Sequence, residues 1–179
     1  MKRRINVLTL FCEVLQCCDM TKQKIHQRFI LQITSELESI TASAKKSFAT
    51  ATSEEHRAEH KYDTFKLESS FLARGQAKRV EELTQALDSL QMLQLKKLHK
   101  TSPIQLGALV RLKSGDGKTR TLFFGPAAGG ETITVDGEEI IIVTSRSPLG
   151  QAVLGKTVGD TFDFKMGPDS HTYTVVSLE

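Results

Sequence analysis

The feature that most constrains the fold is a pair of apolar stripes that flank one short polar segment. Upstream of residue 50, apolar side chains recur at steps of three and four, the spacing of one face of an α-helix. These residues are Ile25, Phe29, Ile33, Leu37, Ile40, Ala44 and Phe48. Downstream, the same spacing returns at Ala58, Tyr62, Phe65, Val80, Leu83, Leu87 and Leu90. The sequence therefore predicts two successive amphipathic helices.

The polar segment between the stripes predicts a tight reversal of the chain. Residues 52–55 have the form of a capping box, in which the Thr52 side chain accepts from the third amide along and Glu55 bonds back to the Thr52 amide. Two helices joined this closely run antiparallel and pack their stripes together. A first helix of about 28 residues makes the hairpin project roughly 40 Å. Four carboxylates lie near its tip, at Glu54, Glu55, Glu59 and Asp63.

After this helical part the pattern changes to short strands and turns. Pro103 cannot continue a helix, and from Ile104 alternating segments are separated by glycine-containing turns. Ser147 is predicted to cap a short helix, with Pro148 at its first position and Gly155 beyond its last turn. The predicted fold class is α+β, in which an N-terminal antiparallel helical hairpin (a coiled coil) precedes a small domain with a mostly antiparallel sheet and one short helix.

The same patterns divide the chain into parts. Residues 20–98 are predicted to form the hairpin, with its second helix continuing as far as Leu98. Residues 99–103 form a linker and residues 104–179 the C-terminal domain. Residues 1–19 fit neither pattern, and we expect them to be an unstructured extension upstream of a natural start at Met20.

Composition narrows the class of function. No apolar run approaches the length of a membrane span, so no membrane partner is expected. Cys12, Cys17 and Cys18 form neither a disulfide framework nor a CxxC pair, which predicts a reducing, cytoplasmic setting without bound zinc. Aromatic residues make up 6% of the chain and Trp is absent, so no stacking platform for single-stranded nucleic acid is evident.

The segment from Ser147 to Asp160 resembles the signature of a known family. It reads Ser-Pro-Leu-Gly-Gln-Ala-Val-Leu-Gly-Lys-Thr-Val-Gly-Asp. This resembles the SP…GK…GD signature in the C-terminal domain of the GreA/GreB family of bacterial transcript-cleavage factors. Residues 141–144 and 173–179 also match in place and character. In that family a long coiled-coil arm precedes the domain, and the domain's fold is similar to that of FK506-binding proteins.

The resemblance implies a factor that binds RNA polymerase. In the family the C-terminal domain docks at the rim of the polymerase's secondary channel, which implies polymerase binding by Ser147, Pro148 and Leu149. The arm threads the channel and brings carboxylates to the active centre, where the polymerase hydrolyses its own backtracked RNA with two metal ions. The implied tip residues are Glu55, Glu59 and Asp63, of which the last two are possible Mg²⁺ ligands in the complex.

The resemblance also sets expectations for cofactors and partners. No intrinsic cofactor is expected, because the Mg²⁺ is shared with the polymerase. The nascent RNA is contacted indirectly, DNA contact is left open, and the protein is expected to be a monomer. It would be an accessory factor for the polymerase's hydrolysis and not an enzyme in its own right.

Several alternatives stay open. The family carries an Asp and a Glu three residues apart at the tip, and this chain lacks that pair in register, so a channel-binding regulator without cleavage activity is one alternative. A peptidyl-prolyl isomerase would follow from the implied fold, and a stand-alone coiled-coil module would need no catalysis. Residues 56–60 spell H-x-x-E-H, a zinc-peptidase pattern, although no third ligand is evident. Glu54 and Glu55 also suit a first helical turn.

The cations along the arm have two interpretations. Contact with polymerase or RNA is one, and a solvated helix face is the other and the better supported of the two. These cations are Arg74, Lys78, Arg79, Lys96 and Lys97.

Overall fold

The computed structural model describes residues 7–52, 63–166 and 169–179, and the side chains of residues 22–45, 74–165 and 170–179. Two long helices come first, followed by six strands and one short helix. In chain order the elements are α1 Val7–Thr52, α2 Asp63–Gln91, β1 Leu109–Ser114, β2 Thr119–Phe124, β3 Thr132–Val135, β4 Glu138–Val143, α3 Pro148–Val153, β5 Thr161–Met166 and β6 Asp169–Leu178.

The two long helices run antiparallel, as predicted. Close to the middle of α1, His26 Nε2 lies 2.8 Å from the carbonyl oxygen of Leu90 at the end of α2. Further along α1, Glu36 accepts a hydrogen bond from Arg79, which comes earlier in α2. Residues later in α1 therefore meet residues earlier in α2. The predicted stripe is buried at this base, where Ile25, Phe29, Ile33, Leu83 and Leu90 are all enclosed.

The first helix starts earlier than the sequence pattern suggests. An unstructured extension is predicted over residues 1–19, yet α1 begins at Val7. The physical reason is composition, since residues 7–52 contain neither Gly nor Pro and nothing interrupts the backbone hydrogen bonding. The natural start at Met20 stays a prediction, as do the boundaries of the four parts.

The second helix ends earlier than predicted, at Gln91 and not at Leu98. Beyond it the chain forms neither helix nor strand, and Leu93 and Leu95 both pack against the cluster between the arm and the sheet. Leu98 packs instead against the opposite cluster of the C-terminal domain. A helix could not send these leucines to two sides of the sheet. Tertiary packing therefore overrides helix propensity here.

The sheet has the strand order β3-β4-β2-β1-β6-β5. Neighbouring strands are antiparallel except for β2 and β4, which run parallel. The chain leaves β2, forms the edge strand β3 and returns through a turn at Asp136 and Gly137, whose φ angles are 52° and 82°. These positive values suit the predicted Asp-Gly hairpin turn. The return places β4 beside β2 in the same direction. Because the other four strand pairs are antiparallel, the sheet is mostly antiparallel, as predicted.

The two faces of the sheet are covered by different parts of the chain. On one face, α3 contributes Val153 to a cluster with the sheet residues Val110, Leu112, Leu122, Phe124 and Val175, among others. On the other face, the base of the helical pair packs on Leu109, Phe123, Ile133, Ile140 and Ile142. The hairpin is thus anchored to the sheet by an apolar interface. The ring centroids of Phe29 and Phe123 are 5.7 Å apart at its centre.

Gly75 in α2 gives a first testable prediction. It is exposed, its φ is not in the left-handed region, and a Cβ built there meets nothing within 4 Å. Gly75→Ala should raise the free energy of unfolding by about 0.5–1 kcal/mol, because glycine has the larger backbone entropy in the unfolded chain. Chemical denaturation of the full chain measures the difference.

A matched control separates the effect of backbone conformation from the effect of the space available for a Cβ atom. Gly130 also has open space around a built Cβ, but its φ is +96°. Gly130→Ala should therefore destabilise the protein, by about 1 kcal/mol or more. Equal effects of the two substitutions would contradict a regular helical geometry at Gly75.

Candidate functional site

The tip residues implied by the resemblance lie at the limit of the described chain. Glu54, Glu55 and Glu59 fall outside the described residues, as does the H-x-x-E-H segment at 56–60. Asp63 is the first residue of α2, but its side chain is not among those described. The roles of these carboxylates therefore stay predictions. Within residues 22–45, 74–165 and 170–179, no three His, Cys, Asp or Glu side chains come together as a metal site would require.

The signature segment, residues 147–160, is described in full. Its first residue, Ser147, caps α3 as predicted: its Oγ accepts from the Gly150 amide at 3.1 Å and donates to the Thr144 carbonyl at 2.9 Å. Pro148 occupies the first helical position, where no intrahelical N–H is needed. The cap therefore ties the start of α3 to the end of β4.

Gly150 is required by a close backbone approach. It is buried, and a Cβ built on it would lie 1.9 Å from the carbonyl oxygen of Thr144. No side chain fits in that space. The glycine in the signature is thus explained by the packing of the first turn of α3 against residues 144–147, and local sequence patterns give no sign of this contact.

The end of α3 is hydrogen-bonded to the residue that follows Pro103 at the end of the linker. Gly155 has φ +78°, the left-handed conformation that commonly ends a helix, and its amide bonds to the Ile104 carbonyl at 3.0 Å. In return, the Ile104 amide donates to the Lys156 carbonyl at 2.8 Å. The side chain of Lys156 lies over the Phe162 ring, 5.6 Å from its centroid. The Gly-Lys pair therefore joins α3, the linker end and β5.

The closing Gly-Asp pair holds the turn before β5. Gly159 has φ +97°, and its amide donates to the Val175 carbonyl at 2.8 Å. Asp160 accepts from the Thr157 amide at 2.7 Å and from the Thr157 hydroxyl at 3.1 Å. These bonds, the backbone one first, lower the pKa of the Asp160 carboxyl below its usual value. Its role seen here is to shape the turn.

The three residues implied in polymerase binding lie together in the first turn of α3. Pro148 is exposed, whereas Ser147 and Leu149 are half-buried. Leu149 also packs against the cluster beneath the helix. Leu154 at the end of α3 and Leu106 beyond the linker are also exposed, by 48% and 47%. The turn thus presents Pro148 on a rigid support.

The aromatic side chains that an isomerase pocket would need are used in the core. Phe123, Phe124, Phe162 and Tyr173 are buried, and Phe164 is half-buried against the cluster below α3. Phe162 and Tyr173 stack with their ring centroids 5.9 Å apart. Their burial removes the main support that the sequence offered for a peptidyl-prolyl isomerase.

One of the arm cations differs from the expected solvated face. Arg79 forms ion pairs with Glu36 at 2.7 Å and with Glu131 at 3.2 Å. The hydrogen bond to Glu36 is the main cause of a raised pKa of the Arg79 guanidinium. Its neighbour Lys78 is exposed, with Glu82 3.8 Å away on the same helix.

Over the described residues, no helix combines the length and apolar character needed to cross a bilayer.

The C-terminal part of the chain is similar to a known protein family. Residues 99–179 match the family model described as "Transcription elongation factor, GreA/GreB, C-term". No curated protein matches the chain.

Among solved structures, the chain is similar to Gfh1 of Thermus aquaticus, at 17% identity and a TM-score of 0.36, over 82% of this chain and 91% of that one. It is similar to GreA factor homolog 1 (Gfh1) of Thermus thermophilus at 16% identity and a TM-score of 0.35, over 84% and 94% of the two chains. A GreA/GreB elongation factor from Nitrosomonas europaea gives 17% and 0.32, over 57% and 90%. At these TM-scores the superpositions do not bear on function, and the assignment rests on residues 99–179.

Proposed function

We propose that this chain, whose residues 99–179 match the C-terminal family model of the GreA/GreB transcription elongation factors, is a factor of that kind that binds RNA polymerase and inserts its helical arm into the secondary channel. The observation that carries the proposal is the family match over the whole C-terminal domain. It is supported by the antiparallel helical pair that precedes the domain. We place this activity in the cytoplasm, with the protein acting as a monomer.

The first turn of α3 is the proposed docking element. Pro148 is exposed there, and the bonds of Ser147 to residues 144 and 150 hold the turn in one conformation. A pre-organised turn loses little conformational entropy when a partner binds. Leu149, which also packs on the core, would couple docking to the body of the domain.

The arm is proposed to carry Glu55, Glu59 and Asp63 towards the polymerase's active centre. Carboxylate oxygens are ligands that Mg²⁺ accepts, and a site of one or two carboxylates is completed by water or phosphate oxygens. Glu59 and Asp63, one helical turn apart by sequence, would share the polymerase's Mg²⁺, which supplies Lewis-acid chemistry for RNA hydrolysis. The nascent RNA would be contacted only indirectly, and DNA contact stays open.

A second candidate function differs only at the tip. The sequence between residues 52 and 63 contains no Asp followed three residues later by Glu. A factor that docks in the same way but lacks a competent carboxylate pair would occupy the channel and regulate the polymerase without stimulating cleavage. The two functions share the docking turn and the arm, so a single experiment separates them.

The test combines binding with RNA cleavage. Purified protein is added to stalled, backtracked elongation complexes, and both polymerase pull-down and the rate of RNA cleavage are measured. Faster cleavage supports the cleavage factor, and binding with slower or unchanged cleavage supports the regulator. Failure of the full chain to bind polymerase would remove both.

We expect the tip substitutions Glu59→Ala and Asp63→Ala to abolish most of the change in cleavage rate while polymerase binding persists. Removing a carboxylate ligand takes away metal coordination without altering the docking turn. Asp88→Ala is the matched control, since Asp88 is exposed near the base end of α2. If the tip variants and the control behave alike, the carboxylates have no role in the reaction.

A further inference from the structure

Arg79 connects three separate segments of the chain. From α2, its Nε and Nη2 donate to the same Glu36 oxygen on α1, at 3.2 and 2.7 Å. Its Nη2 also donates to Glu131 Oε1 at 3.2 Å, in the loop before β3. The other oxygen of Glu131 accepts from Gln32 of α1 at 3.2 Å. Both helices of the arm therefore bind one carboxylate of the C-terminal domain.

That carboxylate belongs to a residue whose backbone is fixed to the sheet. The Glu131 amide donates to the Ala128 carbonyl at 3.2 Å, and its own carbonyl accepts from the Ile142 amide of β4 at 2.8 Å. The loop therefore cannot follow the arm freely. A force on the Glu131 side chain is therefore transmitted to β4, which pairs with both β3 and β2.

The apolar interface alone leaves the direction of the arm weakly defined. Phe29 and Ile33 pack against Phe123 and Ile133, and apolar contacts of this kind are non-directional. Charge-assisted hydrogen bonds have defined geometry, and a guanidinium presents its donors in a rigid fork. Arg79 and Glu131 lie beside this interface and supply the directional contact that the apolar residues lack.

We propose that Arg79, through Glu131, is a positioning residue that fixes the direction of the helical arm relative to the sheet domain. The consequence for transcription rests on the proposed function. Between Glu36 and Thr52, α1 extends about 24 Å, so a tilt of about 10° at the cluster displaces the end of α1 by about 4 Å. Reacting groups displaced by about 1 Å can lose roughly 100-fold in rate. Small changes in arm direction are therefore enough to affect what the tip does.

Arg79 is expected to affect the direction of the arm and to have little effect on the stability of the fold. The Arg79 side chain is 42% exposed, and ion pairs at such sites contribute little to the free energy of unfolding. Arg79→Ala should thus leave the protein folded with a nearly unchanged melting temperature. Its effect should appear in the distribution of arm directions.

The first experiment measures that distribution without polymerase. Spin labels are attached through Ser43→Cys on α1 and Lys165→Cys on β5, both exposed positions, in the full chain with its native cysteines replaced by serine. We expect Arg79→Ala and Glu131→Gln to broaden the distance distribution between the labels. Lys78→Ala, which removes the same charge from the adjacent residue, should leave it unchanged.

The second experiment uses the polymerase. At saturating protein, Arg79→Ala should reduce the maximal change in RNA cleavage rate about 10-fold, while the concentration needed for half of that change stays the same. Arg79→Lys keeps the charge but not the fork and should restore only part of the effect. Lys78→Ala should again match the unmodified protein.

The two experiments test the positioning role of Arg79 separately from the proposed binding to RNA polymerase. Unchanged distance distributions in both Arg79→Ala and Glu131→Gln would overturn the positioning role, whatever the polymerase assay gives. If Arg79→Ala fails to fold, Glu131→Gln, which removes only the link to the domain, decides the question. Broadened distributions in a protein that never binds polymerase would retain the positioning role and reject the proposed function.

Discussion

Phe29→Ala is expected to lower the free energy of unfolding by about 3–5 kcal/mol, the range for removing a buried aromatic ring. Phe29 is fully buried, with an exposure of 0%, and its ring meets Phe123 with centroids 5.7 Å apart. It sits where the arm and the sheet share one apolar cluster, so the cavity would open between the two parts of the chain. Its loss therefore weakens the attachment of the arm as well as the arm itself.

The pattern of unfolding should change along with its midpoint. Among the described side chains, the cluster on the other face of the sheet includes none from α1 or α2, so the domain below α3 keeps its core when the arm detaches. Segment-resolved hydrogen exchange should show α1 and α2 losing protection before β1 and β6. Leu31→Ala, on the same helix but 64% exposed, should change stability by less than about 0.5 kcal/mol.

If the arm and β6 of the Phe29→Ala protein lost hydrogen-exchange protection equally, the predicted order of unfolding would be wrong. They would mean that the arm and the domain unfold as one cooperative unit, and that the two faces of the sheet do not act as separate cores. In that case the interface at Phe29 would stabilise the whole chain.

The arm could be predicted from the sequence because its signal is local. Ile25, Phe29 and Ile33 recur at a step of four, and each is buried as that spacing requires. The partner of Phe29 could not be predicted in the same way. Phe123 lies in a strand far along the chain, and a single sequence does not state which apolar residues meet across such a separation.

The end of α2 shows where local propensity misleads. Leucine favours helix, so Leu93, Leu95 and Leu98 extend the apparent helical pattern past Gln91. In the structure they lie in an irregular connection that contacts two apolar clusters. Burial of these side chains on opposite sides of the sheet outweighs the few tenths of a kcal/mol per residue that propensity offers.

The signature segment is predictable in part. The cap at Ser147 and the helix-ending Gly155 follow from local rules, and both are confirmed. The ion pairs of Arg79 were not expected, because Glu36 and Glu131 are distant in sequence and each alone resembles a solvated acid. The tip residues Glu55 and Glu59 lie outside the described residues and stay predictions.

Gly150→Ala is expected to be the other severe substitution, with a loss of about 3 kcal/mol or more. A built Cβ would lie 1.9 Å from the Thr144 carbonyl oxygen and 3.0 Å from Ser147 Oγ. Backbone, and not a flexible side chain, blocks the space, so α3 must move away from the end of β4. Forced overpacking of this kind typically costs about 1–3 kcal/mol and sometimes more.

The displacement should also reach the proposed docking turn. Thr144 accepts hydrogen bonds from both the amide and the hydroxyl of Ser147, so moving its carbonyl disturbs the cap that supports Pro148. Chemical denaturation measures the stability, and polymerase pull-down at a temperature where the variant is still folded measures docking. Gly75→Ala is the matched control, because the same substitution meets no atom within 4 Å there and should stabilise the protein. A Gly150→Ala protein as stable as the unmodified chain would mean that α3 does not pack on residue 144 as described. A folded variant with full polymerase binding would instead move the docking element away from this turn.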